Sequence, residues 1–160
     1  MNLYIEILFI TTLTMLFYQD IKERKISVWV LVVGLFLGGI LHFLQQTQIV
    51  FVSSIVMNIT FIALVFGVLC LYAKIILQNN IFEVFGMGDL LFFILLAVSL
   101  PILSFLIVFI FSLLFSLLVF ILTKRKLKEK TVPLAGLQSL FLILVLLANK
   151  FIPKIELYTF

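Results

Sequence analysis

Apolar residues run almost unbroken through five stretches of the chain, 3–18, 28–44, 49–77, 90–123 and 132–151, with short polar segments between them. None alternates polar with apolar positions, which removes closed β-barrels and leaves helices as the way to satisfy backbone hydrogen bonds in an apolar medium. The fourth stretch holds 34 residues without a charge. As one straight helix it would be about 51 Å long, against about 30 Å of bilayer hydrocarbon. Basic residues resolve its length. Lys22, Arg24 and Lys25 follow the first stretch, Lys74 closes the third, and Lys124, Arg125, Lys126, Lys128 and Lys130 precede the last. Cationic loops stay on the cytoplasmic side, and these three groups hold 9 of the 11 basic residues. An even number of crossings must then separate Lys74 from Lys124. Pro101, which lacks the helical N–H and disfavours helix at the residue before it, is the natural break. The pattern predicts an all-α polytopic membrane protein of six transmembrane helices with both termini outside. Its fourth helix has only about 11 to 13 residues, too short to cross without tilt, bilayer thinning or shelter by neighbours.

Composition agrees with a single membrane-embedded domain over residues 1–160. The chain is 65% hydrophobic and 11% charged, with mean hydropathy +1.39, against about 45–50% apolar and about 25% charged in soluble domains. That excludes a water-soluble globule, a disordered chain and a secreted disulfide scaffold. The net charge of +4 comes from short clusters between apolar runs, so it reports membrane topology. The expected surroundings are a lipid bilayer, with no nucleic-acid partner. Cys70 is the lone cysteine, which rules out an intrachain disulfide or a cysteine metal cluster. No Lys or Arg precedes Lys22, so the first stretch lacks the basic front end of a cleavable signal and is expected to remain as a span.

Only two of the seven acidic residues are aspartates, Asp20 and Asp89. Asp20 ends the first predicted helix and Asp89 begins the fourth, with two full crossings between them. They therefore share one face of the membrane, the cytoplasmic one under the charge rule. An ionisable residue at the hydrocarbon edge is a functional candidate by default. If the first and fourth helices pack together, the carboxyls can share a water, and repulsion leaves one protonated and the other anionic. Such a pair can hydrolyse an amide: the anion takes a proton from water while the neutral acid protonates the carbonyl oxygen.

Two of the seven glycines, Gly86 and Gly88, fall immediately before Asp89 in Phe85-Gly86-Met87-Gly88-Asp89. Glycine permits torsions that other residues avoid and lets another chain approach closely, so an extended substrate fits here. A plain turn opening a helix, with Asp89 near its positive end, fits equally well.

With both segments together, the sequence resembles the type IV prepilin peptidases and the archaeal preflagellin peptidases, membrane aspartyl proteases of the G-x-G-D class. The first family pattern matches Asp20-Ile21-Lys22-Glu23-Arg24-Lys25-Ile26-Ser27, and the second Gly86-Met87-Gly88-Asp89. A weaker third match, Val132-Pro133-Leu134-Ala135-Gly136, opens the final helix. The resemblance implies cleavage of a short basic leader from a prepilin-like or preflagellin-like precursor, at the cytoplasmic face of the cytoplasmic (inner) membrane. Asp20 and Asp89 would form the catalytic dyad, Gly86 and Gly88 would shape the site, and no metal or other cofactor is expected. Leu91 stands where many members carry Lys. The cysteine-rich N-terminal region of larger members has no counterpart here, so neither zinc nor methyltransferase activity is expected.

Other residues are read plainly. Asn58, in the third run, is expected to bond between helices, His42 to lie at the outer interface, and Trp29 to anchor the inner boundary. Glu83 is expected to be solvated. Two competing readings use the same aspartates. A small proton- or cation-coupled transporter would bind its ion at Asp20 and Asp89 but calls for midplane carboxylates and an inverted repeat. A non-catalytic scaffold would use them as helix-end caps.

Overall fold

In a computed structural model, the structure describes residues 2–77, 86–123, 133–151 and 157–158, and the regular elements among them are helical. Helix α1 spans Asn2–Glu23, α2 Val28–Gln45, α3 Gln48–Tyr72, α4 Met87–Ser99, α5 Ile102–Thr123 and α6 Leu134–Phe151. One π-helical turn, Ala73–Leu77, continues α3 and carries Lys74. Five of the six α-helices, all but α4, are long and apolar enough to cross a membrane. The protein is an all-α polytopic membrane protein with one short helix, as the hydrophobic pattern predicts. The basic run 124–130 and Glu83 lie outside the described residues.

The long fourth stretch breaks at the proline. Helix α4 ends at Ser99, Leu100 is extended at φ −132° and ψ 144°, and α5 begins at Ile102. In a continuous helix the Ala97 carbonyl would accept from the N–H of residue 101, which proline lacks. Asn58 of α3 supplies the missing donor: its Nδ2 gives hydrogen bonds of 2.9 Å to both the Ala97 and Leu100 carbonyls. The interhelical role expected of Asn58 is thus met at a specific place, the gap between α4 and α5.

Helix α4, about 20 Å long for its 13 residues, is sheltered by α2, α3, α5 and α6. Phe92, Leu95, Leu96 and Ala97 are fully buried. Close approach to α2 is possible because α2 presents Gly34 and Gly38, one turn apart. A Cβ on Gly34 would lie 2.8 Å from Leu95 Cδ1, and one on Gly38 would overlap Ser99 Oγ. Small residues four apart are a recurrent way for membrane helices to come together. Helix α1 packs against α2 and α6, burying Phe9, Leu13 and Leu16. Leu64, Val68, Leu114, Leu118 and Ile121 are more than half exposed on α3 and α5, as lipid-facing side chains should be.

His42 departs from expectation. It is fully buried rather than interfacial, with Nδ1 2.9 Å from the Val98 carbonyl and its ring edge-on to Phe51 at 4.9 Å. The cause is helical phase: His42 follows Gly38 by one turn, on the face of α2 that meets α4. Trp29 is 81% exposed in the first turn of α2, where an interfacial anchor belongs. At the opposite end of the bundle from Trp29, Ser104 Oγ donates to the Leu157 carbonyl at 2.5 Å, and Leu157 N donates to Asn149 Oδ1 at 3.0 Å. Gln46 Nε2 donates to the Tyr158 carbonyl there. Burial pushes the Tyr158 hydroxyl above its ordinary range, and the charge of Glu6 acts in the same direction.

Candidate active site

Asp20 lies in the last turn of α1 and is only 7% exposed. Helix α1 stops just beyond it, where Arg24 takes the left-handed conformation at φ 53°, a frequent way for a helix to end. The connection to α2 is closed by Ser27 N, which donates to Gln19 Oε1 at 3.1 Å. Asp89 is the third residue of α4 and is half-buried. In the first turn of α4, Asp89 N and Leu90 N donate to the Gly86 carbonyl at 3.1 and 3.4 Å.

The two carboxyl groups meet at the start of α6. Gly136 N donates to Asp20 Oδ2 at 2.6 Å, and Ala135 N donates to Asp89 Oδ1 at 3.0 Å. These amides belong to the first helical turn, whose N–H groups have no partner within the helix and which carries the positive end of the helix dipole. Adjacent residues have Cα atoms about 3.8 Å apart, so donors on neighbouring residues make neighbours of the aspartates they hold. Asp89 feels the charge of Asp20. Carboxyls that feel each other's charge do not both ionise cheaply.

The two glycines of the second motif do different things. Gly86 has φ −68° and ψ 131°, and no described glycine has positive φ, so conformational freedom is not what these positions use. Space is. A Cβ on Gly86 would stand 3.0 Å from Asp89 Oδ2, and one on Gly88 would stand 3.1 Å from Ile26 Cδ1. Gly86 is exposed, so Asp89 Oδ2, which accepts no hydrogen bond among the described residues, lies toward the open side of the site. Gly88 lets the chain after α1 settle against α4.

The sequence-predicted residues Asp20, Gly86, Gly88 and Asp89 are therefore gathered at one end of the bundle. Among the described residues the Asp89 carboxyl accepts from α6 and not from its own helix, so both aspartates sit at a helix end, that of α6. Ala135 and Gly136 contribute through backbone N–H groups, which leave no side-chain signature; the Pro133-containing segment was their one signal. Gln19, beside Asp20, carried no signal of its own. Among the described residues, no group of three or more His, Cys, Asp or Glu is placed to hold a metal ion.

The profile of the type IV leader peptidase family matches residues 7–123, which include both aspartates and both glycines. The chain belongs to that family. Comparison with curated proteins and with solved structures gives no match. In this type IV leader peptidase family member, the matched stretch covers most of α1 and all of α2–α5, while α6, whose amides hold the aspartates, follows it.

Proposed function

We propose that this protein is an aspartic endopeptidase of the cytoplasmic membrane that removes the basic leader from prepilin-like or preflagellin-like precursors, with Asp20 and Asp89 as its catalytic pair. The observation that carries this reading is the attachment of both carboxyls to consecutive amides, Ala135 and Gly136, in a chain of the leader peptidase family. Gly86 and Gly88 shape the entrance. The basic residues beside Asp20 and at Lys74 support a cytoplasmic position for the site.

In the proposed reaction one carboxyl holds the shared proton. The anionic partner removes a proton from water as the oxygen attacks the scissile carbonyl carbon, and the protonated partner gives its proton to the carbonyl oxygen. The pair has then exchanged roles. Collapse of the tetrahedral intermediate breaks the C–N bond, the newly protonated carboxyl delivers its proton to the leaving amine, and the other recovers one from the intermediate's hydroxyl. The carboxyls are partly buried, so each charge acts through less solvent screening than in open water.

Purified protein in liposomes should cut a precursor that carries a basic leader followed by an apolar helix, once, at the junction. Mass spectrometry of the products locates the cut. An intact precursor, or cleavage scattered along the chain, would overturn the substrate assignment.

A further inference from the structure

Helix α6 reaches the two carboxyls through its backbone. Asp20 Oδ2 and Asp89 Oδ1 each accept from an amide of its first turn; among the described residues Asp20 Oδ1 and Asp89 Oδ2 accept no hydrogen bond, and the Asp20 carboxyl also feels the charge of Arg24. Asp89 Oδ2 faces the exposed, side-chain-free Gly86. The turn that donates is itself braced. Leu137 N donates to the Pro133 carbonyl at 3.1 Å, Ser139 Oγ to the Gly136 carbonyl at 2.6 Å, and Gln138 Nε2 to Ser112 Oγ on α5 at 3.2 Å. Its position is thus set by α5 and α6 as well as by the aspartates.

Gly136 has no steric latitude. A Cβ there would lie 2.9 Å from both Cβ and Oδ2 of Asp20 and 3.3 Å from its Cγ. The Asp20 Cβ is attached directly to the α1 backbone, so it cannot swing aside as a side-chain tip can. A methyl at this point must move α6 away from α1 or turn the carboxyl, and either lengthens the 2.6 Å bond.

We propose that the Ala135–Gly136 turn is a positioning element of the catalytic site, which fixes one oxygen of each aspartate so that the other two converge on water and the scissile carbonyl. This rests on the catalytic role proposed above for Asp20 and Asp89. Ala135 and Gly136 are positioning residues: they touch the carboxyls, not the substrate. They also lie beyond residues 7–123, the stretch matched by the family profile.

The test uses the full chain in liposomes, a precursor with a basic leader, and three variants. Gly136→Ala inserts the methyl. Ala135→Pro deletes the N–H given to Asp89, in the first turn where helices tolerate proline. Gly67→Ala is the control, because an added methyl there meets nothing within 4 Å. Misplacement of reacting groups by about 1 Å can cost about 100-fold, so Gly136→Ala and Ala135→Pro should lose at least about tenfold in kcat with KM little changed. Gly67→Ala should match wild type. A second readout needs no turnover: the infrared band of the protonated carboxyls, followed against pH, should titrate at higher pH once an amide donor is withdrawn. A folded Gly136→Ala protein with wild-type kcat and an unchanged infrared titration overturns the proposal. If that variant does not fold, Ala135→Pro decides by the same two readings. Loss of activity in Asp20→Asn with none in Gly136→Ala removes only the positioning role, whereas a fully active Asp20→Asn removes the dyad.

Discussion

Ile26 lies against Gly88, its Cδ1 3.1 Å from the point that a Cβ on Gly88 would occupy. The contact joins the segment after α1 to the first turn of α4, and so ties the carrier of Asp20 to the carrier of Asp89. Extra volume at a closely packed contact costs about 1–3 kcal/mol.

Gly88→Val should therefore lower both the unfolding midpoint and the cleavage rate, and Ile26→Ala in the same chain should recover part of each. A double-mutant cycle on initial rates measures the coupling. Purely additive effects would mean that the two residues do not share a constraint.

Asn58→Leu should destabilise the bundle by about 1–2 kcal/mol, because it leaves two carbonyls beside Pro101 without their donor in a medium that offers no water. Thermal unfolding in detergent reads this directly. An unchanged midpoint would show that the Ala97 and Leu100 carbonyls have found another partner.

Gly38→Ala should cost about 1–3 kcal/mol through contact with Ser99, whose Cβ lies 2.8 Å from the new methyl position. Ser99→Gly, combined with it, should restore much of the loss. Equal stability of Gly38→Ala and wild type would argue against the close approach of α2 and α4.

Cleavage should show a bell-shaped dependence on pH. Below both apparent pKa values of the pair no base remains to take the proton from water; above both, no acid remains to protonate the carbonyl oxygen. Steady-state kcat across pH provides the curve, and a rate that stays level on the alkaline side would contradict a shared proton.

Much of this architecture was legible along the chain because its signals are local and strong. Pro101 marked the break in a 34-residue apolar run, and the basic clusters required an even number of crossings there. The two apolar runs between them, 28–44 and 49–77, predict two crossings and so put Asp20 and Asp89 on one face. What was not legible depends on partners distant in sequence. The donors of Ala135 and Gly136 are backbone groups common to almost every residue, so only their placement in an unpaired first turn makes them special. His42 has the composition of an interfacial residue and the helical phase of a buried one, and phase won because Gly38 had already turned that face of α2 inward. For Gly86 and Gly88 the expected unusual torsions are not met, while the expected close approach is: the missing side chains leave room for Asp89 Oδ2 and for Ile26.

The most direct test of the central claim compares wild type, Asp20→Asn and Asp89→Asn in liposomes, with precursor binding measured beside turnover. Asparagine keeps the shape of the side chain and removes its acid–base chemistry, so each variant should bind precursor normally and lose about 10²–10⁴-fold in kcat. Wild-type turnover in either variant would contradict the pairing of Asp20 with Asp89 as the cutting groups.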